Sequence, residues 1–406
     1  MKIAICSNVL AENQACGTRT LLVELIREWR KLERPAVQVT VVVNGPEAVA
    51  DLLPFGQPTS LRLVSHAFPK HRSRLTWLMG GGSIRPRVGE QDVFLSGWHW
   101  PLGRRDVPFV GILHDLTPLD FAGYAAPAQR LIAQLLFRLS VSACLRRSAA
   151  MVVVSRFTQR RLKEVFGEPR VPLKVIPHGI DAAWWGESLD SGRASEVLAG
   201  MGLNPGASYV LAAGQHVANK NHWTLLQAFA RAIAPCDPAA LLVVAGGHGP
   251  ETARLLACAR EQGLGDRLCL PGFVSREALR VLMTGARAFA FPSYMEGFGI
   301  PVLEAFAAGT AVVCSNTGAL AEVAGDAAVT VDPADAEGLG KALAMFWFDT
   351  EARKRARDRG MRIAAQRSWG RVAGEYLDLF RWVRNPAGAP PVVGMGYSGR
   401  SAQARS

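Results

Sequence analysis

Two glutamates eight positions apart, Glu296 and Glu304, frame the segment of this chain best suited to bind a phosphorylated ligand. Glu296-Gly297-Phe298-Gly299-Ile300-Pro301-Val302-Leu303-Glu304 directly follows an apolar run ending Phe291-Pro292-Ser293. Pro301 suits the first helical position and Gly309 the position after the last turn, which predicts a short helix over about 301–308. The Gly297-Phe298-Gly299 loop then aims backbone N–H groups from a helix N-terminus, where a diphosphate is favourably held. Spacing alone also allows the carboxylates a plain capping or solvated role. A second constellation, Gly214-Gln215-His216-Val217-Ala218-Asn219-Lys220-Asn221, offers a cation, Lys220, to stabilise charge on a departing phosphate. A third, His114-Asp115-Leu116-Thr117-Pro118, ends another apolar run; its histidine suits a ligand contact or a satisfied core position equally. Gly17-Thr18, within 13–20, follows the first apolar run and precedes a helical stretch. The Asp-x-Asp motif is missing from the chain, so the chemistry calls for no metal, and no cofactor is expected.

These loops need strands to end beneath them. Short β-branched runs alternate with longer helical stretches throughout, the pattern of parallel sheets covered by helices on both faces. Strands are expected at 3–6, 39–43, 109–113, 151–154 and 174–176, and again at 209–213, 241–245, 268–270, 288–291, 311–314 and 328–331. The turn-rich Pro177-His178-Gly179-Ile180-Asp181 reads as a connector between two Rossmann-like halves. The division is therefore an N-terminal domain over 1–182, a C-terminal domain over 183–368, a helix over 369–384 that packs back on the body, and a Gly, Pro and Ser-rich tail over 385–406 expected to be disordered.

Length and composition agree with a two-domain globular protein. The chain has 406 residues, 49% hydrophobic and 20% charged, which excludes a disordered or coiled-coil class. Residues 1–6 enter an apolar strand without the features of a signal peptide, and no stretch is long and apolar enough to span a membrane. A cytoplasmic protein is expected. Seven cysteines lie far apart without a C-x-x-C pair, which gives no zinc or redox motif. The net charge of +12 includes the clusters Lys70-His71-Arg72-Ser73-Arg74 and Arg104-Arg105. No nucleic-acid-binding signature surrounds them, and the first lies beside Leu75, Trp77, Leu78 and Met79, which suits peripheral contact with the inner face of a membrane.

Glu296 to Glu304 and its flanks, Pro292-Ser293-Tyr294-Met295 and Ala305-Phe306-Ala307-Ala308-Gly309-Thr310, resemble the E-x7-E motif of the retaining glycosyltransferases of family four, also called group one, which have the GT-B fold. The resemblance extends over nearly the whole chain. It implies two Rossmann-like α/β domains facing across a cleft, with Glu296, Phe298, Gly299 and Ile300 touching the donor's sugar and phosphates and Glu304 binding ribose. It also implies that Gly214 and Lys220 serve the phosphates, that His114 orients the sugar without acting as a general base, and that Gly17 and Thr18 approach donor and acceptor. Gln215 and Asn219 depart from the basic residues common there, and Cys16 replaces a usual second glycine. The wording of His114-Asp115-Leu116-Thr117-Pro118 and of Glu296-Gly297-Phe298-Gly299-Ile300-Pro301 is similar to bacterial polysaccharide mannosyltransferases, which favours a GDP-mannose donor and a glycan or lipid-linked acceptor in cell-surface polysaccharide synthesis. A catalytically silent sugar-nucleotide-binding subunit is the competing expectation, encouraged by Gln215 and Asn219.

Overall fold

The computed structural model describes residues 1–7, 10, 17–32, 37–43, 61–65, 88–99, 108–124 and 127–386. The basic segment 70–79, Arg104 and Arg105, residues 13–16 and the tail from 387 lie outside the described residues. Among the described residues the chain divides into two compact units, one drawn from 1–119, 127–179 and 369–386, the other from 120–124 and 180–368. The main chain passes from one to the other at Leu119/Asp120, after Tyr124, at Gly179/Ile180 and at Ser368/Trp369.

The first unit holds a seven-stranded sheet in the order β3-β2-β1-β4-β5-β6-β7. Its strands are β1 Lys2–Cys6, β2 Gln38–Val43, β3 Leu61–Ser65, β4 Val93–Ser96, β5 Phe109–Leu113, β6 Ala150–Val153 and β7 Leu173–Val175. All neighbours pair in parallel, for example Ile3 opposite Val39 on one side and Val93 on the other. Both faces are covered, so β4 and β5 are buried along their whole length and read as continuous apolar runs rather than alternating ones. The helix Trp369–Arg384 belongs to this unit. It packs on Gly17–Arg30, where Trp29 Nε1 donates to Ala373 O at 3.0 Å and the Trp29 ring meets Phe380 edge-on at 5.8 Å.

The second unit repeats the plan with six parallel strands in the order β10-β9-β8-β11-β12-β13. These are β8 Tyr209–Ala213, β9 Leu241–Ala245, β10 Leu268–Gly272, β11 Ala288–Phe291, β12 Val312–Ser315 and β13 Val329–Val331. Phe229 from the helix His222–Ala232 and Leu343, Phe346 and Trp347 from Ala336–Phe348 fill the core on one face. Residues 120–124 join this unit, where Phe121 stacks on Tyr294 at 5.7 Å.

In both sheets the winding direction reverses between the first and fourth strands, β1 and β4 in one, β8 and β11 in the other. Strands diverging into helices on opposite faces leave a crevice beyond their carboxyl ends, the usual ligand position in such sheets. Eleven strands lie where the sequence pattern predicts them. β3 and β4 are additional.

Candidate functional site

In the second unit the loops leaving β8 and β11 flank that reversal point, and they carry the two longest motifs. The chain leaves β8 through Gly214 (φ +142°), where a Cβ would lie 3.2 Å from the Lys220 side chain, so the absent side chain lets Lys220 fold back over the strand end. Lys220 Nζ donates to Glu296 Oε1 at 2.5 Å, and the same ammonium sits 4.8 Å from the centre of the Phe291 ring. Their side chains are 21% and 17% exposed, so water screens this pair less than a surface one. Asn219 and Asn221 fasten the two loops together. Asn219 Nδ2 donates to Met295 O at 2.8 Å, its Oδ1 accepts from Met295 N at 3.1 Å, and its backbone O accepts from Tyr294 N at 2.9 Å. Asn221, in the left-handed region at φ 55°, donates to Pro292 O and Pro333 O.

Beyond Glu296 the chain enters a helix at Ile300–Ala307, with Pro301 in its first turn and Gly299 as N-cap at φ +104°. Phe298 and Ile300 are buried, 5% and 8% exposed. The first-turn amides of a helix lack an acceptor four residues back within it, which makes this end electropositive. Glu304 lies one turn in. Burial pushes its carboxyl up to about 7, against the pull of the Arg276 guanidinium. No hydrogen bond to the Glu304 carboxylate is formed among the described residues, whereas Glu296 is held by Lys220.

In the first unit His114 follows β5, and its Nε2 lies 3.1 Å from Gly97 O, at the end of β4. A carbonyl only accepts, so Nε2 carries the proton and Nδ1 presents a lone pair. Burial lowers the His114 pKa to about 4, so the ring is neutral at physiological pH. Its ring stacks on His178 at 6.0 Å, and burial, reinforced by His114, lowers His178 well below the ordinary histidine value. Gly97 itself is close-packed: a Cβ would come within 2.7 Å of Leu22 Cδ1 and 2.8 Å of Ser7 Oγ. Leu22 belongs to the helix Gly17–Arg30, which Gly17 opens and whose second residue, Thr18, is buried. Lys220, Glu296, Gly214, Phe298, Gly299, Ile300 and Glu304 thus gather in one unit, and His114, Gly17 and Thr18 belong to the other.

Sequence reasoning missed the work of Asn219, read there as the loss of a base, and of Gly97. Neither has a local signal, because their partners are 76 and 17 residues away. Among the described residues no group of three or more His, Cys, Asp or Glu side chains could hold a metal ion.

Two family models match the chain, Glycosyltransferase Family 4 over residues 16–184 and Glycosyl transferases group 1 over 198–362, leaving only the ends and a short central stretch unmatched. O-antigen chain mannosyltransferase B of Escherichia coli is 38% identical over 110 residues, 27% of this chain and 29% of that protein. A glycogen synthase of Mycobacterium tuberculosis is 29% identical over 295 residues, 71% of this chain and 67% of that protein. The alignment therefore spans less than a third of the first relative and about two thirds of the second. Among solved structures, HepE of Anabaena in complex with UDP and glucose superposes with a TM-score of 0.71 at 18% identity, over 93% of this chain and 98% of that one. That likeness establishes the GT-B architecture.

Proposed function

Because the chain belongs to the family 4, group 1 glycosyltransferases, we propose that it transfers a hexose from a nucleoside diphosphate sugar to a glycan or lipid-linked acceptor with retention of anomeric configuration. Mannose from GDP-mannose is the favoured donor, supported by the motif wording and by the name of the E. coli relative, and cell-surface polysaccharide synthesis on the cytoplasmic side is the setting that goes with it.

The observation that carries this reading is the Lys220–Glu296 pair beside the start of the helix Ile300–Ala307. When the C1–O bond breaks, negative charge grows on the β-phosphate oxygen while the sugar becomes oxocarbenium-like. A fixed ammonium and a helix N-terminus offset the first charge without a divalent ion. Glu296 accepts hydrogen bonds from sugar hydroxyls, and in the free protein it holds Lys220 in place. The departing phosphate takes the acceptor's proton, so no side-chain base is required. A neutral His114, with a lone pair on Nδ1, accepts from a sugar hydroxyl rather than moving the proton.

The test is a panel of GDP-, UDP- and dTDP-sugars offered to the purified protein in EDTA, with NMR reading the anomeric configuration of any product. Turnover of one donor, with retention and in the presence of chelator, is expected. Lys220→Ala should lower that turnover by about two to three orders of magnitude. Inversion, dependence on added manganese or magnesium, or near-normal turnover by Lys220→Ala would overturn the corresponding part. Tight donor binding with neither hydrolysis nor transfer would favour the catalytically silent subunit.

A further inference from the structure

The helix Pro127–Arg147 is apolar on two sides, and only one of them is covered. Over its 21 residues it runs for about 31 Å. On the inner side Phe137, Val141 and Cys144 enter the core of the first unit. On the outer side Leu131, Ile132, Leu135, Leu136 and Leu139 are 73%, 63%, 57%, 38% and 42% exposed. At roughly 100° per residue these five occupy a continuous arc of about 140°. Among the described residues they are five of the twelve large apolar side chains left exposed. Isolated exposed leucines are ordinary on a folded protein, but a contiguous stripe of five marks a surface with a partner.

The charges identify that partner. The helix carries Arg130, Arg138, Arg146 and Arg147 and not one acidic residue. Arg138, exposed, borders the leucine stripe, and Arg146 and Arg147 close the helix. We propose that this face is a lipid-docking surface, on which the helix lies in the plane of an anionic membrane with its leucines in the acyl boundary and the exposed Arg138 and Arg146 among phosphate headgroups. A second copy of the chain fits less well. Two such faces would set arginines against arginines, with no carboxylate on either helix to pair them. No helix among the described residues is long and apolar enough to cross a membrane. Under the function proposed above, it would bring the enzyme to a lipid-linked acceptor, but the docking itself does not depend on that function.

Flotation of the whole protein with phosphatidylcholine vesicles, with and without phosphatidylglycerol, tests this without any activity measurement. The wild type should float with the anionic vesicles and release at high salt. The variant Leu131→Gln/Leu135→Gln/Leu139→Gln should partition at least about tenfold less, since each change removes apolar surface from the acyl boundary. Arg138→Glu should bind more weakly and with a shallower salt dependence. All four side chains are exposed, so both variants should keep the wild-type unfolding temperature, and this is measured alongside. A triple variant that floats like the wild type would place membrane binding elsewhere and overturn the proposal. So would a wild type that ignores vesicles but forms a dimer that the triple variant loses, which would assign the face to a second copy.

Discussion

The Glu304 carboxyl stands at about 7 because burial disfavours its charged form more than Arg276 favours it. Raised above its unfolded value of 4.5, it withdraws stability from the fold as pH rises from 4.5 through 7. A ribose would reverse that balance, because two hydroxyl donors stabilise the carboxylate and drive its proton off. Nucleoside diphosphate binding near pH 6 should therefore release protons, read by titration calorimetry in buffers of different ionisation enthalpy. Glu304→Gln should abolish that part of the release, which separates it from titration of the ligand's own phosphate. Glu304→Ala should weaken binding by about 2–4 kcal/mol, the worth of two charge-assisted hydrogen bonds. Equal proton release in wild type and Glu304→Gln would remove this residue from the ribose site. Lys220 and Glu296 raise a different point at the same scale. The family resemblance implies that Lys220 serves the phosphates and that Glu296 reaches the donor sugar, whereas in the free protein they hold each other. Their effects should therefore couple, and neither single variant measures one role alone.

At the scale of elements, the helix Ile300–Ala307 depends on one backbone conformation. Gly299 sits at φ +104°, and a Cβ there would approach Leu320 Cδ2 to 2.5 Å. Gly299→Ala should cost about 1–3 kcal/mol of stability from the strained dihedral alone and should weaken nucleotide binding as the helix start shifts. Gly374→Ala is the control: it lies in the helix Trp369–Arg384 with nothing within 4 Å of the added atom, and it should stabilise by about 0.5–1 kcal/mol. Thermal unfolding of both variants decides, and a neutral Gly299→Ala would show that the cap tolerates a side chain. The same helix shows why much of this site was legible beforehand. Strand, glycine loop, Pro301 and both glutamates follow one another within a single contiguous run, so local rules sufficed. β4 was not picked out, although its four residues, Val93 to Ser96, are as many as in β6, β11 and β12, which were. β3 has five, one of them Arg62. Yet β4 delivers Gly97 to His114, and only the sheet order reveals that role. The Asn219–Met295 clamp escaped for the same reason, since no local pattern announces a partner 76 residues away.

For the molecule as a whole, both units bury histidines in the neutral state, and this sets how the protein should respond to acid. In the first unit burial lowers His99 to about 3 and His114 to about 4, with His178 shifted the same way; in the second it lowers His222 to about 3. Each ring is uncharged when folded and takes a proton readily once unfolded, at its ordinary value of 6.5. Below that pH the unfolded state binds more protons, so stability is complete above 6.5 and falls as pH drops toward the folded values. The slope is about 1.4 kcal/mol per pH unit for each such histidine. Glu304 acts in the opposite sense between 4.5 and 7, but it is one group against several. Protonation should also be uneven, because His99, His114 and His178 lie in the first unit, and the charge on His114 would further disfavour charge on the other two. Calorimetric scans from pH 7.5 down to 4.5 should therefore show the unfolding temperature dropping below pH 6.5, with the transition of the first unit moving first. His114→Gln keeps a neutral polar ring-sized group at the end of β5 and removes one titrating site, so it should flatten the acid limb of that transition. An unfolding temperature constant from pH 7.5 to 4.5, or an acid limb that His114→Gln leaves unchanged, would mean that the buried imidazoles do not control acid stability.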